Sequence, residues 1–123
     1  MSVVKCISWN VRGLNSKFKR ALLFNFLKAH NPHLLCLQEM HLLGSKVMAL
    51  KKCWVMYGYH STYSSYARGV SVLVRKGLPF SCERVVLDPK GRYVFLQCTV
   101  HATPLLLVVV YAPPLSRRTF SRI

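Results

Sequence analysis

The chain has 123 residues, which limits it to one domain of ordinary size, and its hydrophobic content of 52% excludes an intrinsically disordered polypeptide. Lysine and arginine number 18 against 3 acidic residues, a formal net charge of +15. That excess predicts a polyanionic partner, with nucleic acid first and an anionic membrane surface second. The alternative is a sequence that has lost its acidic residues by drift.

The N-terminal third alternates predicted strands and helices. Residues 3–9 predict a strand that leads into Asn10, and residues 34–38 predict a second, fully apolar strand. Between them, Ser16 can cap a helix that runs to about residue 30, where an Asn-Pro pair ends it. Its apolar face is expected to contain four residues at helical spacing: Phe18, Leu22, Phe26 and Ala29.

The remainder of the chain is predicted to be mostly β structure. A short helix capped by Ser45 precedes strands predicted over residues 57–63, 70–75, 80–87, 92–101 and 105–111. The tetrapeptide DPKG (88–91) predicts a type I turn. Residues 105–111 form a run rich in leucine and valine, which predicts a strand buried on both faces inside a sandwich. The order of elements predicts an α+β layered protein.

Neither the cysteines nor the apolar segments indicate a secreted, zinc-binding or membrane protein. The five cysteines include no C-x-x-C pair, so zinc is not expected, and Cys6, Cys36 and Cys98 are expected to be small core residues. No segment is long enough to cross a bilayer, and the first residues do not form a secretory signal. We therefore expect a nuclear or cytoplasmic protein that does not engage a membrane.

Polar residues end three of the apolar predicted strands. Asn10 ends the first, Glu39 follows the second, and Tyr111 ends the last. If these strands are neighbours that point the same way, their ends meet at one edge of a sheet. A carboxylate beside a neutral oxygen ligand suits Mg²⁺, which retains waters and uses substrate phosphates as further ligands. Taken singly, each residue equally fits a solvated loop, a turn or simple packing.

Four sequence stretches, in order, resemble one known superfamily. They are ISWNVRGLN, PHLLCLQE, ARGVSVLVRKG and VVVYAPP. Together they are similar to the exonuclease–endonuclease–phosphatase superfamily, which includes DNase I and the apurinic-site endonucleases. More narrowly, residues 3–114 resemble the N-terminal endonuclease domain of non-LTR (long interspersed) retrotransposon polyproteins.

The resemblance implies a fold and a set of roles. The fold would be the first half of a four-layered, two-sheet α/β sandwich, with residues 1–114 as a partial domain. Residues 115–123 would be a tail, either out of frame or a cut-off helix. Glu39 would be the principal Mg²⁺ ligand (Mn²⁺ being possible), Asn10 would lie in the metal-proximal and phosphate-binding shell, and Tyr111 would lie against the scissile phosphate. Arg12 and Arg68 would be nucleic-acid contacts.

The sequence also departs from the superfamily. Family domains are roughly twice this length, and the Asp-x-Asn and Ser-Asp-His elements that complete the catalytic site have no counterpart here. The histidines, His41 and His60 among them, occur at the wrong places in the motif order and are expected to be polar surface residues. With one carboxylate amid +15 of charge, weak Mg²⁺ binding to the free chain is expected.

The resulting prediction is the N-terminal part of a Mg²⁺-dependent DNA endonuclease that nicks target DNA for reverse transcription and is inactive alone. Its partners would be DNA and the downstream reverse transcriptase of the intact element. Alternatives are a non-catalytic basic nucleic-acid-binding fragment, a retroelement remnant without a selected function, and a phosphatase acting on lipids or nucleotides.

Overall fold

The structure, a computed structural model, describes residues 3–50 and 54–112, so the predicted tail lies outside the described residues. Helix α1 spans Lys17–His30, and a 3₁₀ helix spans Gly44–Leu50. The described residues contain seven strands: β1 (Cys6–Asn10), β2 (Leu34–Gln38), β3 (Val55–Ser61), β4 (Val70–Arg75), β5 (Phe80–Leu87), β6 (Tyr93–Val100) and β7 (Thr103–Val110). Neither helix is long and apolar enough to cross a membrane.

The strands form two sheets, which confirms the predicted mixed α/β class. The first sheet has the order β1-β2-β4-β3, with β1 parallel to β2 and the other neighbours antiparallel. The second sheet has the order β5-β6-β7 and is antiparallel throughout. The DPKG turn joins β5 to β6, and the Gly91 N–H donates to the Asp88 carbonyl at 3.1 Å, which confirms a hydrogen-bonded β-turn at these residues.

Strand β2 contributes to both halves of the core. Leu34 and Cys36 face the second sheet and pack with its inward residues, such as Val94 and Leu96. Leu35 and Leu37 face the opposite way and pack under α1 and the 3₁₀ helix. A strand covered on both faces requires a continuous apolar run, which explains why β2 shows no alternation. The helices, the first sheet and the second sheet therefore form three successive layers.

Helix α1 uses a different apolar face from the one predicted. Ser16 caps it as expected, because its Oγ accepts from Phe18 N at 3.1 Å. The buried residues are Leu23 and Leu27, whereas Phe18 is 70% exposed and Leu22 is 50% exposed. Both pairs have i, i+4 spacing, so periodicity alone does not choose between them. The prediction was wrong for Phe18 and Leu22, because packing against the sheet selects the neighbouring stripe, whereas the predicted Phe26 does pack against the core.

Strand β7 is an edge strand, and the prediction that residues 105–111 are buried on both faces was wrong. It pairs only with β6, and Val109 alone is fully buried. Leu106 is 62% exposed and Val110 is 59% exposed. Only the inner face of the second sheet meets another layer, so the apolar residues on its outer face remain accessible among the described residues.

Two further residues lie where the sequence did not predict. Cys6 is exposed because β1 is the edge strand of the first sheet, while Cys36 and Cys98 are buried as expected. His60, expected at the surface, is largely enclosed, and its Nδ1 bonds the Ser71 hydroxyl. Burial disfavours the charged ring and lowers the pKa of His60 from 6.5 to about 4.

The exposed outer face of the second sheet predicts self-association. We expect the isolated chain to associate in light-scattering measurements, because an uncovered apolar edge strand offers both backbone and side-chain contacts. Replacing Leu106 and Val108 together with threonine should reduce that association. The matched control is Val109→Thr on the inner face, which should instead lower the free energy of unfolding by about 1–3 kcal/mol. A wild-type monomer with one sharp thermal transition would contradict this prediction.

The burial of His60 predicts acid sensitivity. The unfolded chain protonates this ring near pH 6.5, but the folded chain does so only near pH 4. The free energy of unfolding should therefore decline as the pH falls from about 6.5 to about 4. Below that range the ring is protonated in both states, so His60 makes no further contribution to the pH dependence. At pH 5 the loss is at most about 2 kcal/mol relative to pH 7.5. Urea unfolding of wild type and His60→Gln at both pH values tests it, and an equal pH dependence of the two proteins would refute it.

Candidate functional site

The site begins where the parallel strands β1 and β2 end together. Asn10 lies opposite Gln38, the last residue of β2, and Glu39 follows directly after that strand. Beyond the strands, the segments that follow β1 and β2 continue to pair through three backbone hydrogen bonds: Val11 N to Gln38 O at 3.0 Å, Gly13 N to Glu39 O at 2.6 Å, and Leu14 N to Met40 O at 2.8 Å. This pairing holds the Asn10 and Glu39 backbones side by side, as the sequence predicted for neighbouring parallel strands.

A third segment is tied to the same edge. His41 N donates to Arg68 O at 3.0 Å, and Met40 N donates to Gly69 O at 3.0 Å. Gly69 N in turn donates to Gly91 O at 3.0 Å, which connects the turn between β5 and β6. Backbone hydrogen bonds thus link four loops from both sheets into one continuous rim.

The Glu39 carboxylate is the centre of the polar cluster. Asn10 Nδ2 donates to Glu39 Oε2 at 2.6 Å, and Arg12 N donates to Asn10 Oδ1 at 3.2 Å. His41 Nε2 lies 3.6 Å from Glu39 Oε1, beyond direct hydrogen-bond range. Each of the two side chains is about one-fifth exposed, so the carboxylate remains partly accessible to solvent. The Asn10 amide therefore orients the carboxylate and leaves one oxygen for another partner.

Tyr111 joins this cluster from the second sheet. It follows β7, which is not a neighbour of β1 or β2, so the expected convergence of three ends at one sheet edge was wrong in its geometry. The stacking of the two sheets brings Tyr111 to the site instead. Burial raises the pKa of the Tyr111 phenol and the Glu39 carboxylate raises it further, while Arg68 opposes them.

The two predicted nucleic-acid contacts, Arg12 and Arg68, lie in loops of the same rim. Arg12 is exposed, and its carbonyl and that of Val11 accept from Lys19 Nζ at 3.0 and 2.9 Å. Arg68 lies with its guanidinium 4.3 Å from the centre of the Tyr63 ring, and its Nη1 donates to Lys90 O at 3.2 Å. The rim loops thus carry two arginines in addition to the one carboxylate of Glu39.

Backbone strain is concentrated at this rim. Four of its non-glycine residues have positive φ: Arg12 (50°), Glu39 (54°), His41 (56°) and Arg68 (61°). The left-handed region costs such residues roughly 1 kcal/mol each. Strain of this kind persists where the surrounding contacts over-determine the backbone, and it clusters at functional sites.

His41 is the residue that sequence reasoning missed. It was expected at the surface, but its ring packs beside Gly13, where an added Cβ would lie 3.0 Å from His41 Nδ1. Gly13 also has φ +95°, a conformation that side chains rarely adopt. The sequence signal was the Glu-x-His pattern directly after an apolar strand. Side chains two residues apart in extended backbone point to the same side, so His41 could have been expected near Glu39.

The donor set fits a hydrated divalent cation. The free Glu39 oxygen supplies one anionic ligand, and His41 Nε2 is a second nearby donor. The other two carboxylates of the chain are engaged elsewhere: Glu83 accepts from Ser81 and Thr99, and Asp88 accepts from Arg92 at 2.7 Å. Within residues 3–50 and 54–112, no three His, Cys, Asp or Glu side chains form a group that could enclose a metal. A cation here must retain waters, as Mg²⁺ does.

Comparison with known proteins gives a consistent assignment. Residues 7–122 match the model of the Endonuclease/Exonuclease/phosphatase family. Among solved structures, the chain is similar to the AP endonuclease LMAP from Leishmania major, with 23% identity and a TM-score of 0.70 over 95% of this chain and 44% of that one.

Two further structures share the fold. One is D. rerio TDP2 complexed with a single-strand DNA product, with 21% identity and a TM-score of 0.68 over 97% of this chain and 51% of that one. The other is the 3' phosphatase NExo from Neisseria bound to a product DNA hairpin, with 22% identity and a TM-score of 0.59 over 97% and 48%. The chain therefore spans about half the length of these structural relatives.

The Asn10–Glu39 contact makes a prediction about cation affinity. We expect Asn10→Ala to weaken Mn²⁺ binding roughly tenfold or more, because a ligand that loses its orienting hydrogen bond binds metal less well. The electron paramagnetic resonance signal of free Mn²⁺ measures the affinity without any need for catalysis. The matched control is Glu83→Gln, which removes an exposed carboxylate outside the cluster. Equal affinities of wild type and Asn10→Ala would refute the orienting role.

Proposed function

We propose that this chain, which belongs to the endonuclease/exonuclease/phosphatase family, is the N-terminal part of a Mg²⁺-dependent endonuclease that hydrolyses phosphodiester bonds in DNA. The observation that carries the proposal is the Asn10–Glu39 pair, which presents one oriented carboxylate at the joined ends of β1 and β2. A single carboxylate in a positively charged setting suits a cation that completes its shell with waters and substrate phosphate.

DNA is the proposed substrate because the charge and the relatives favour it. The net charge of +15 attracts a polyanion, and Arg12 and Arg68 belong to loops of the rim that carries the carboxylate. Two structural relatives are named for complexes with DNA products, a single strand in one and a hairpin in the other. A lipid or nucleotide phosphatase would not need so extended an excess of positive charge.

Each site residue has a proposed role. Glu39 would hold Mg²⁺ (or Mn²⁺), and Asn10 would fix the orientation of that carboxylate through its 2.6 Å hydrogen bond. Tyr111 would lie against the scissile phosphate, while Arg12 and Arg68 would bind the nucleic-acid backbone. When bound, the cation supplies polarisation of a phosphoryl oxygen and stabilises developing negative charge. The protein positions the phosphate and excludes alternative orientations.

The described site lacks the groups that would complete catalysis. With Glu83 and Asp88 engaged elsewhere, no second carboxylate is free to act as a general base. Absence of a general base or a transition-state donor typically lowers the rate by about 10²–10⁴-fold for each group. We therefore propose that this chain alone has activity near background, and that a downstream segment supplies the missing groups.

We further propose that the chain derives from a non-LTR retrotransposon. The residues of the four ordered motifs support the endonuclease domain of a non-LTR retrotransposon, whose nick in the target DNA would prime reverse transcription. In that case the downstream partner is the reverse transcriptase of the same polyprotein. A second candidate is a non-catalytic nucleic-acid-binding fragment, which the single carboxylate amid +15 of charge favours.

Nicking of supercoiled plasmid, measured alongside DNA binding, tests the proposal. For the purified chain in Mg²⁺, we expect nicking near background and DNA binding that weakens steeply with salt, because phosphate contacts release counterions. Any residual nicking should disappear with EDTA and with Glu39→Gln, while Glu39→Gln should keep or slightly strengthen binding.

The outcomes separate the candidates. Vigorous nicking that requires both Mg²⁺ and Glu39 would show that the site is complete and would overturn the proposed inactivity. Residual nicking that is equal in the wild-type chain and in Glu39→Gln would overturn the proposed metal site. Binding that is absent at low salt, or that does not respond to salt, would overturn DNA as the substrate.

A further inference from the structure

The loop between β3 and β4, residues 62–69, borders the Glu39 cluster. Its last residues are part of the rim, because Arg68 O accepts from His41 N at 3.0 Å. Asn15 ties the middle of the loop to the same place, since its Nδ2 donates to Ser65 O at 2.7 Å and to His41 O at 2.8 Å. The loop is therefore anchored at two points to the segment that carries Glu39.

The loop also has internal order. Ser64 Oγ accepts from Ala67 N at 3.1 Å and from Tyr66 N at 3.4 Å, which closes a compact turn. Tyr66 stands at the tip of this turn and is 80% exposed. An exposed aromatic ring alone is ordinary, but one held on an anchored turn beside a phosphate site is positioned for a ligand.

A second planar surface lies in the same loop. The Arg68 guanidinium is 4.3 Å from the centre of the Tyr63 ring, a cation–π stack, and the bond from its Nη1 to Lys90 O fixes its position. Gly91 makes room for Tyr63, since a Cβ there would lie 2.7 Å from Tyr63 Cβ. The backbone around this stack is shaped so that the ring and the guanidinium remain layered.

We propose that loop 62–69 is a stacking subsite for an unpaired nucleobase, with Tyr66 as the principal ring and the Arg68–Tyr63 pair as a second surface. Aromatic and guanidinium planes are the groups on which single-stranded bases stack, whereas a phosphate by itself needs only positive charge. The subsite deepens the proposed function and rests on it for the class of ligand. It selects single-stranded or unpaired nucleotides next to the bound phosphate.

The test separates base stacking from phosphate binding. Fluorescence anisotropy in EDTA would compare oligothymidylate of about 12 nucleotides with an abasic oligonucleotide of equal length and phosphate number. We expect Tyr66→Ala to weaken binding of oligothymidylate roughly 5- to 100-fold and to leave binding of the abasic oligonucleotide unchanged. Tyr66→Trp should retain or strengthen oligothymidylate binding, since a larger ring stacks at least as well.

A matched control and a check on folding accompany these variants. Tyr57 is 46% exposed and pairs with Val74 towards the other end of the first sheet, so Tyr57→Ala should leave both affinities unchanged. Thermal unfolding of each variant confirms that the loop substitutions leave the fold intact.

Equal losses on the two oligonucleotides, no loss on either, or the same loss for alanine and tryptophan would each overturn the stacking subsite. Because the assay contains no metal and requires no cleavage, its outcome is independent of nicking. A chain that binds bases through Tyr66 but whose residual nicking does not depend on Glu39 would refute the proposed metal site and leave the subsite standing.

Discussion

The parallel pairing of β1 with β2 determines where Asn10 and Glu39, the central pair of the candidate site, lie. It places the ends of the two strands at one edge, and three further backbone hydrogen bonds prolong the pairing into the loops. A slip of one residue would reverse the faces of the side chains and separate Asn10 from Glu39. The 2.6 Å hydrogen bond between them is therefore a direct consequence of strand register.

The same edge depends on how the two sheets face each other. Strand β2 is apolar on both faces, so it packs under the helices on one side and against the second sheet on the other. That second contact brings the end of β7, and with it Tyr111, towards Glu39. The second sheet has no comparable cover on its outer face among the described residues, which leaves much of β7 exposed. Among the described residues, the second sheet is therefore packed on its inner face only.

Charge explains the composition of the site better than stability does. One oriented carboxylate is surrounded by a strongly basic chain, and the four rim residues with positive φ each carry a charged or titratable side chain. A fold optimised for stability alone would avoid left-handed backbone at such residues. The arrangement is consistent with a surface that binds phosphate and a hydrated cation together, for which the cation relieves the repulsion between the carboxylate and the substrate.

The sequence by itself determined the elements and most of the site. The apolar run before Gln38 and Glu39, the Ser16 cap and the DPKG turn are local signals, and each produced the expected structure. The four ordered motifs pointed to the family that the comparisons confirm. Asn10 and Glu39 came together as predicted because β1 and β2 are adjacent and parallel and pair in the register that sets Asn10 opposite Gln38.

Only the tertiary structure decided which apolar surfaces are buried. Leu23 and Leu27 displaced Phe18 and Leu22 from the core, and β7 became an edge strand, because burial depends on what packs against an element and periodicity does not record it. The structure also brought His41 towards Glu39 and anchored the Tyr66 loop beside them. The hydrogen bond between Asn15 and Ser65 joins residues 50 positions apart, and its physical cause is the packing of loops around the first sheet, which local sequence does not record.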